Sequence, residues 1–169
     1  MTRIALMTAV ICVLAPISIP LVTLVPISLA TLAVMLAGAV LGSRNGALCA
    51  LLYLILGGIG IPVFAGYSSG FSALVGVTGG FLVGYIPLAF CTGYGQEKKI
   101  AGKYSLLAGM IVGTVILYAI GTIWFMFTAK AGFMTALSAC VIPFLPGDAL
   151  KIAAVMVTAP RLRTALKLN

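Results

Sequence analysis

The sequence predicts an all-α integral membrane protein of six transmembrane helices. Three observations carry that expectation. Apolar runs recur almost end to end, each long enough to cross a hydrocarbon core of about 30 Å. The 169 residues are 63% hydrophobic and only 7% charged, against about 25% charged in a soluble domain. The basic residues, finally, gather at alternate helix ends. The chain length suits one domain, so residues 1–169 are expected to form a single transmembrane substrate-binding unit.

The first span covers about residues 4–20 and closes on Pro16 and Pro20. A signal peptide is the rival reading of residues 1–16. It would have only Arg3 as its positive region and no clear small-residue cleavage site, so a first helix is preferred. The second span runs over 27–41 and ends near Gly42, and the third covers 47–61 and stops at Pro62. Residues 63–72, rich in glycine and serine, read as a loop. A fourth span follows over 73–91, then a polar turn at 95–99, then a fifth span over 104–128. The last apolar region, 135–159, is interrupted by Pro143 and by Pro146 and Gly147. The sixth helix is therefore expected to start near Pro146, because proline is tolerated in a first helical turn.

The positive-inside rule orients these spans. With a cytoplasmic N-terminus, the inner segments carry Arg3, Arg44, Lys98, Lys99, Lys103, Arg161, Arg163 and Lys167, while the outer side keeps only Lys130. Lys151 lies within the sixth helix. This split favours six crossings with both termini in the cytoplasm; five or seven would scatter the charges over both faces. Glycines and alanines at four-residue spacing, such as Gly76, Gly80 and Gly84 or Gly109 and Gly113, predict close helix contact, since small residues let backbones approach in lipid.

Composition excludes several functions. The net charge of +8 comes from scattered helix-end residues without an interleaved aromatic surface, so nucleic acid is not an expected partner. The chain has no histidine and two acids, too few for a metal site or a histidine-based triad. Cys12, Cys49, Cys91 and Cys140 lie apart in apolar stretches and read as small buried hydrophobes. Gly102 and Lys103 do not form a P-loop: Glu97 stands where the first glycine belongs, and Tyr104 where Ser or Thr is required. An enzyme is not expected, nor an ATPase within this chain.

Two side chains stand out by their cost. Asp148 and Lys151 sit at or inside the membrane boundary, where a charge costs about 2.5–3.5 kcal/mol on insertion scales. Their i,i+3 spacing puts them on one helix face within pairing reach. An internal salt bridge is the bland reading; a polar binding site at a broken helix is the functional one, favoured for ionisable residues in a membrane. On the orientation above, this site faces outward. The loop at 63–72 opens on the same side, uncharged but holding Phe64, Tyr67 and Phe71. It reads as a lid over a ligand in preference to an interfacial anchor. Ser68, Ser69, Thr78 and Tyr85 are further candidates for the convergent polar groups of a small-molecule pocket.

These residues resemble a known family. Gly57, Gly60, Pro62, Val63, Phe64, Ala65 and Gly66 stand as in the G-x-x-G-x-P-V-F-A-G segment of the BioY family, the biotin-binding S components of energy-coupling factor transporters. The run from Thr78 through Gly79 and Gly80 to Gly84 and Tyr85 is similar to its T-G-G-Y-L-x-G-F segment. Residues 26–38 resemble its second-helix region, and Pro146, Gly147, Asp148 and Lys151 its sixth-helix motif. The likeness covers nearly the whole chain. It departs at Ala30, Val77 and Tyr67, where the family commonly has glutamine, proline and a small residue.

The resemblance implies the six-helix S-component fold and a multi-pass protein of a bacterial-type plasma membrane, without a cofactor. Biotin would bind near the outer face, under the first–second and third–fourth connections, in contact with Asp148 and Lys151. A carboxylate accepts from the ureido N–H groups; an ammonium donates to the ureido oxygen or to the valerate carboxylate. The family docks its transmembrane T component on an A-x-x-x-A face of the first helix, matched here by Ala5 and Ala9, and two ATPase subunits would drive release. Two alternatives stay open: an S component for another vitamin, and a stand-alone small-solute transporter.

Overall fold

In the computed structural model the chain is mainly helical, and residues 1–19, 26–98 and 103–166 are described. The order is α1 (Thr2–Leu14), β1 (Ser18–Ile19), β2 (Ile27–Ser28), α2 (Ala30–Leu41), α3 (Ser43–Gly58), a short 3-10 turn (Ala65–Tyr67), α4 (Phe71–Val75), α5 (Gly79–Glu97), α6 (Lys103–Ala129), α7 (Phe133–Cys140) and α8 (Leu145–Ala165).

Three features differ from the sequence expectation. The connection after α1 forms a two-stranded antiparallel ribbon that pairs Ser18 with Ser28 and Ile19 with Ile27. The expected fourth span is divided into α4 and α5 by residues 76–78. Gly76 there is extended, and its carbonyl accepts from Trp124 Nε1 at 2.9 Å instead of closing a helical turn. The last apolar region bends by 43° between α7 and α8, and α8 begins at Leu145, one residue before the proline named above. Of the helices, α6 is long and apolar enough over Tyr104–Ala129 to cross a membrane alone; α7 and α8 qualify together as a broken span. The helices α1 and α2 are shorter apolar segments.

Small residues set the packing. Gly38 on α2 faces the α5 backbone at Ala89 and Gly93, and Gly84 on α5 faces Leu117 on α6. Gly95 and Gly109 meet across α5 and α6: a Cβ built on either would lie 3.0 Å from the other's Cα. Without side chains in the way, three helices approach to backbone contact, which supplies dispersion energy where lipid removes any hydrophobic drive. Met35, Tyr53, Leu88, Met110 and Leu117 fill the centre at 1% exposure or less. The outward faces carry exposed Ile55, Val115 and Phe127 among many other large apolar side chains, a surface suited to lipid and far too apolar for water.

Polar contacts tie the bundle at one end. The Glu97 carboxylate at the end of α5 accepts from the Ser43 N–H at 2.7 Å and from the Ser43 hydroxyl at 2.8 and 3.0 Å. It thus caps the otherwise unsatisfied N-terminus of α3 from a neighbouring helix. Arg163 on α8 donates to the Ala39 and Val40 carbonyls at the end of α2, at 3.4 and 3.0 Å. Arg3 on α1 donates to the Leu166 carbonyl at 3.3 Å. The start of α1 and the ends of α2, α5 and α8 therefore share one side of the molecule. The start of α8 lies at the opposite end.

Candidate ligand-binding site

Proline in the first turn of α8 loses no hydrogen bond there, since that N–H has no intrahelical acceptor. The helix so begun places Asp148 in its first turn, where the positive end of the helix dipole favours a carboxylate. Lys151 follows on the same face. Both are buried, at 2% and 7% exposure. The Lys151 Nζ lies 2.9 Å from Asp148 Oδ1 and also donates to Thr31 Oγ1 at 2.8 Å. The Thr31 hydroxyl donates to Asp148 Oδ1 at 3.3 Å, and Tyr118 of α6 donates to Asp148 Oδ2 at 2.6 Å. One acid, one base and two hydroxyls from α2, α6 and α8 thus form a closed network.

The network also keeps capacity for a guest. An ammonium has three N–H groups and a carboxylate about four acceptor positions. Lys151 uses two donors on Asp148 and Thr31, leaving one; Asp148 accepts three bonds, leaving one lone pair. A neutral ligand group with an N–H beside a C=O matches that remainder. Burial makes each such bond directional and costly to leave unmade.

These groups line one side of a cavity of about 230 Å³. Six aromatic rings line the wall: Tyr53, Phe64, Phe81, Tyr85, Tyr118 and Phe144. Phe81 and Phe144 stack with centroids 6.5 Å apart, while Tyr53 meets Phe64 edge-on at 5.4 Å and Tyr85 at 6.3 Å. Ser28, at the base of the ribbon, lines the cavity together with Tyr85.

The loop after α3 covers this cavity. Phe64 points inward at 1% exposure, its ring seated where Gly57 has no side chain. Any Cβ at Gly57 would collide with that ring. The chain then reverses through Gly66 (φ 66°) and Gly70 (φ 89°), a backbone conformation that disfavours L side chains. Among the bonds that hold the loop are Gly70 N–H to the Gly57 carbonyl at 2.7 Å, Phe64 N–H to the Ser68 carbonyl at 3.0 Å, and Gly66 N–H to the Pro16 carbonyl at 3.1 Å. The last of these joins the loop to the end of the first helix region.

Of the residues nominated from sequence, Asp148, Lys151, Phe64, Ser68, Thr78 and Tyr85 line the cavity. Tyr67 and Ser69 are not part of its wall; Tyr67 points outward at 69% exposure, as does Phe71 at 74%. Ala5 and Ala9 are exposed on α1, away from the cavity. Four polar contributors were not nominated: Ser28, Thr31, Tyr53 and Tyr118. Thr31 carried a faint signal, a hydroxyl opening an apolar helix. Tyr118 carried none, because its position in α6 matters only once α8 packs beside it.

Comparison with known proteins accords with this geometry. The BioY family model matches residues 1–168. The biotin transporter BioY of Rhodobacter capsulatus is 43% identical over 146 residues, covering 80% of this chain and 77% of that protein. BioY2 of Lactococcus lactis is 39% identical over 161 residues, 94% of this chain and 85% of that protein. The crystal structure of the S component for biotin from an ECF-type ABC transporter superposes with a TM-score of 0.88 at 30% identity, over 96% of this chain and 89% of that one.

Proposed function

The chain belongs to the BioY family, and from that premise we propose that it is the biotin-capturing S component of an energy-coupling factor transporter, a membrane-embedded transport subunit and not an enzyme. The observation that carries this reading is the Asp148–Lys151–Thr31–Tyr118 network at one side of an aromatic cavity. A ureido ring offers N–H donors beside a carbonyl. The spare acceptor of Asp148 and the spare donor of Lys151 complement it without breaking the network. Aromatic walls receive the apolar ring system and alkyl chain.

Capture takes place on the outer face. One transmembrane domain crosses the bilayer of a bacterial-type plasma membrane six times, with both termini in the cytoplasm. The charge distribution supports this orientation, as does the gathering of Arg3, Glu97 and Arg163 contacts at the end opposite the cavity. The Phe64 loop and the ribbon close over the bound molecule, with Ser68 and Thr78 at the rim; Tyr67 and Ser69 belong to the same lid. The exposed Ala5 and Ala9 face of α1 docks the transmembrane T component, small side chains permitting close helix approach. Two ATPase subunits acting through that component supply the energy for release.

Isothermal titration of purified protein with biotin tests the reading. Saturable binding is expected, weakened by Asp148→Asn and by Lys151→Ala. A well-folded preparation that gives no heat with biotin would sink it.

A further inference from the structure

Resting on the biotin reading above, we infer that the site discriminates at the ureido end and takes the acidic tail of its ligand without an ionic partner, so that the neutral carboxamide binds as the acid does. Among the described residues, Asp148 and Lys151 are the only charged side chains lining the cavity. They lie 2.9 Å apart, so the single cation is compensated before a ligand arrives. A carboxylate brought to Lys151 also approaches Asp148, and the like-charge repulsion offsets the attraction.

Among the described residues, no other cation lines the cavity. Residues 20–25, Pro-Leu-Val-Thr-Leu-Val, carry no charge. Arg3 and Arg163 are bonded to backbone carbonyls at the far end, and Lys98 lies over the Tyr94 ring, 4.9 Å from its centroid. The exposed Lys130 is not part of the cavity wall. What the lid side offers instead is neutral: the hydroxyls of Ser68 and Thr78. The Ser68 hydroxyl donates to the Ala65 carbonyl at 2.9 Å and keeps its lone pairs free. With its one proton on Ala65, Ser68 can accept from an amide N–H, while Thr78 can donate to a carboxylate oxygen or to an amide oxygen. Replacing the acid by its isosteric carboxamide therefore removes no dedicated contact.

Calorimetry on the purified wild-type chain, with biotin and biotin carboxamide in parallel, tests the inference. The two dissociation constants are expected to agree within about tenfold, and the value for biotin to move less than about threefold between low and high salt, because screening has no ligand–protein ion pair to weaken. A dedicated cation would instead cost the carboxamide roughly tenfold to a hundredfold, the worth of a lost charge-assisted bond. Tight biotin binding with carboxamide weaker by more than about tenfold overturns this inference alone. Folded protein that binds neither overturns the biotin reading and this inference with it.

Discussion

The Tyr118 hydroxyl on α6 donates a 2.6 Å hydrogen bond to Asp148 Oδ2 on α8. This bond holds the carboxylate oxygen that Lys151 does not, and leaves its orientation independent of any ligand. Two helices that are not joined by a tight turn thereby share one polar contact in an apolar setting, where it is worth more than at a surface.

Tyr118→Phe should keep the fold and free Asp148 to swing. Biotin binding is expected to weaken roughly tenfold, about 1.4 kcal/mol, with little change in melting temperature. Unchanged affinity in a titration would mean that Asp148 is held without Tyr118.

Lys151→Met leaves a buried carboxylate uncompensated, at a cost of about 3–5 kcal/mol. The double variant Asp148→Asn with Lys151→Met removes both charges and should recover most of that stability while still failing to bind biotin. Thermal unfolding in detergent and calorimetry separate the two effects. A double variant as unstable as the single one would show that the pair is not a unit.

Gly57→Ala places a methyl group where the Phe64 ring sits. The lid residue must then move, so a faster release of bound biotin is expected, at least several-fold on the scale of an over-packed site. Adding Phe64→Leu should restore slow release by making room. Stopped-flow dissociation measures both, and equal rates for Gly57→Ala and wild type would count against a closing role for Phe64.

Ser43→Ala removes two of the three contacts that Glu97 makes at the start of α3. A loss of about 1 kcal/mol of stability is expected from the weakened cap, with biotin affinity unchanged because the site is at the other end. A matching drop in affinity would reveal coupling between the ends.

Ala9→Trp should leave biotin binding intact and abolish uptake in cells that also make the T component and its ATPases. A bulky ring on an exposed small-residue face blocks close helix approach without touching the cavity. Normal uptake by this variant would move the docking face elsewhere.

Much of the molecule was legible in the residues. The span 104–128 reads directly from its apolar run and lies within α6, and Pro146 announced the break before α8 because few helix positions tolerate proline. Asp148 and Lys151 were visible because a charge in an apolar segment demands a reason. The ribbon of residues 18–19 and 27–28 was not, since strand pairing depends on two short stretches that meet only after α1 and α2 pack. The split between α4 and α5 was also hidden: Gly76 alone does not stop a helix, and the Trp124 bond that holds its carbonyl comes from α6.

The two costly charges make the same division plain. Sequence by itself determined that this is a membrane protein with a candidate polar site near the start of its last helix, because hydropathy and the penalty for buried charge are local properties of the chain. Only the tertiary structure decided that Thr31 and Tyr118 complete the site, that Phe64 turns inward while Tyr67 turns out, and that Asp148 and Lys151 are already paired with each other. Those outcomes depend on which helix faces lie against one another, and that is set by glycine-permitted approaches between segments far apart in the chain.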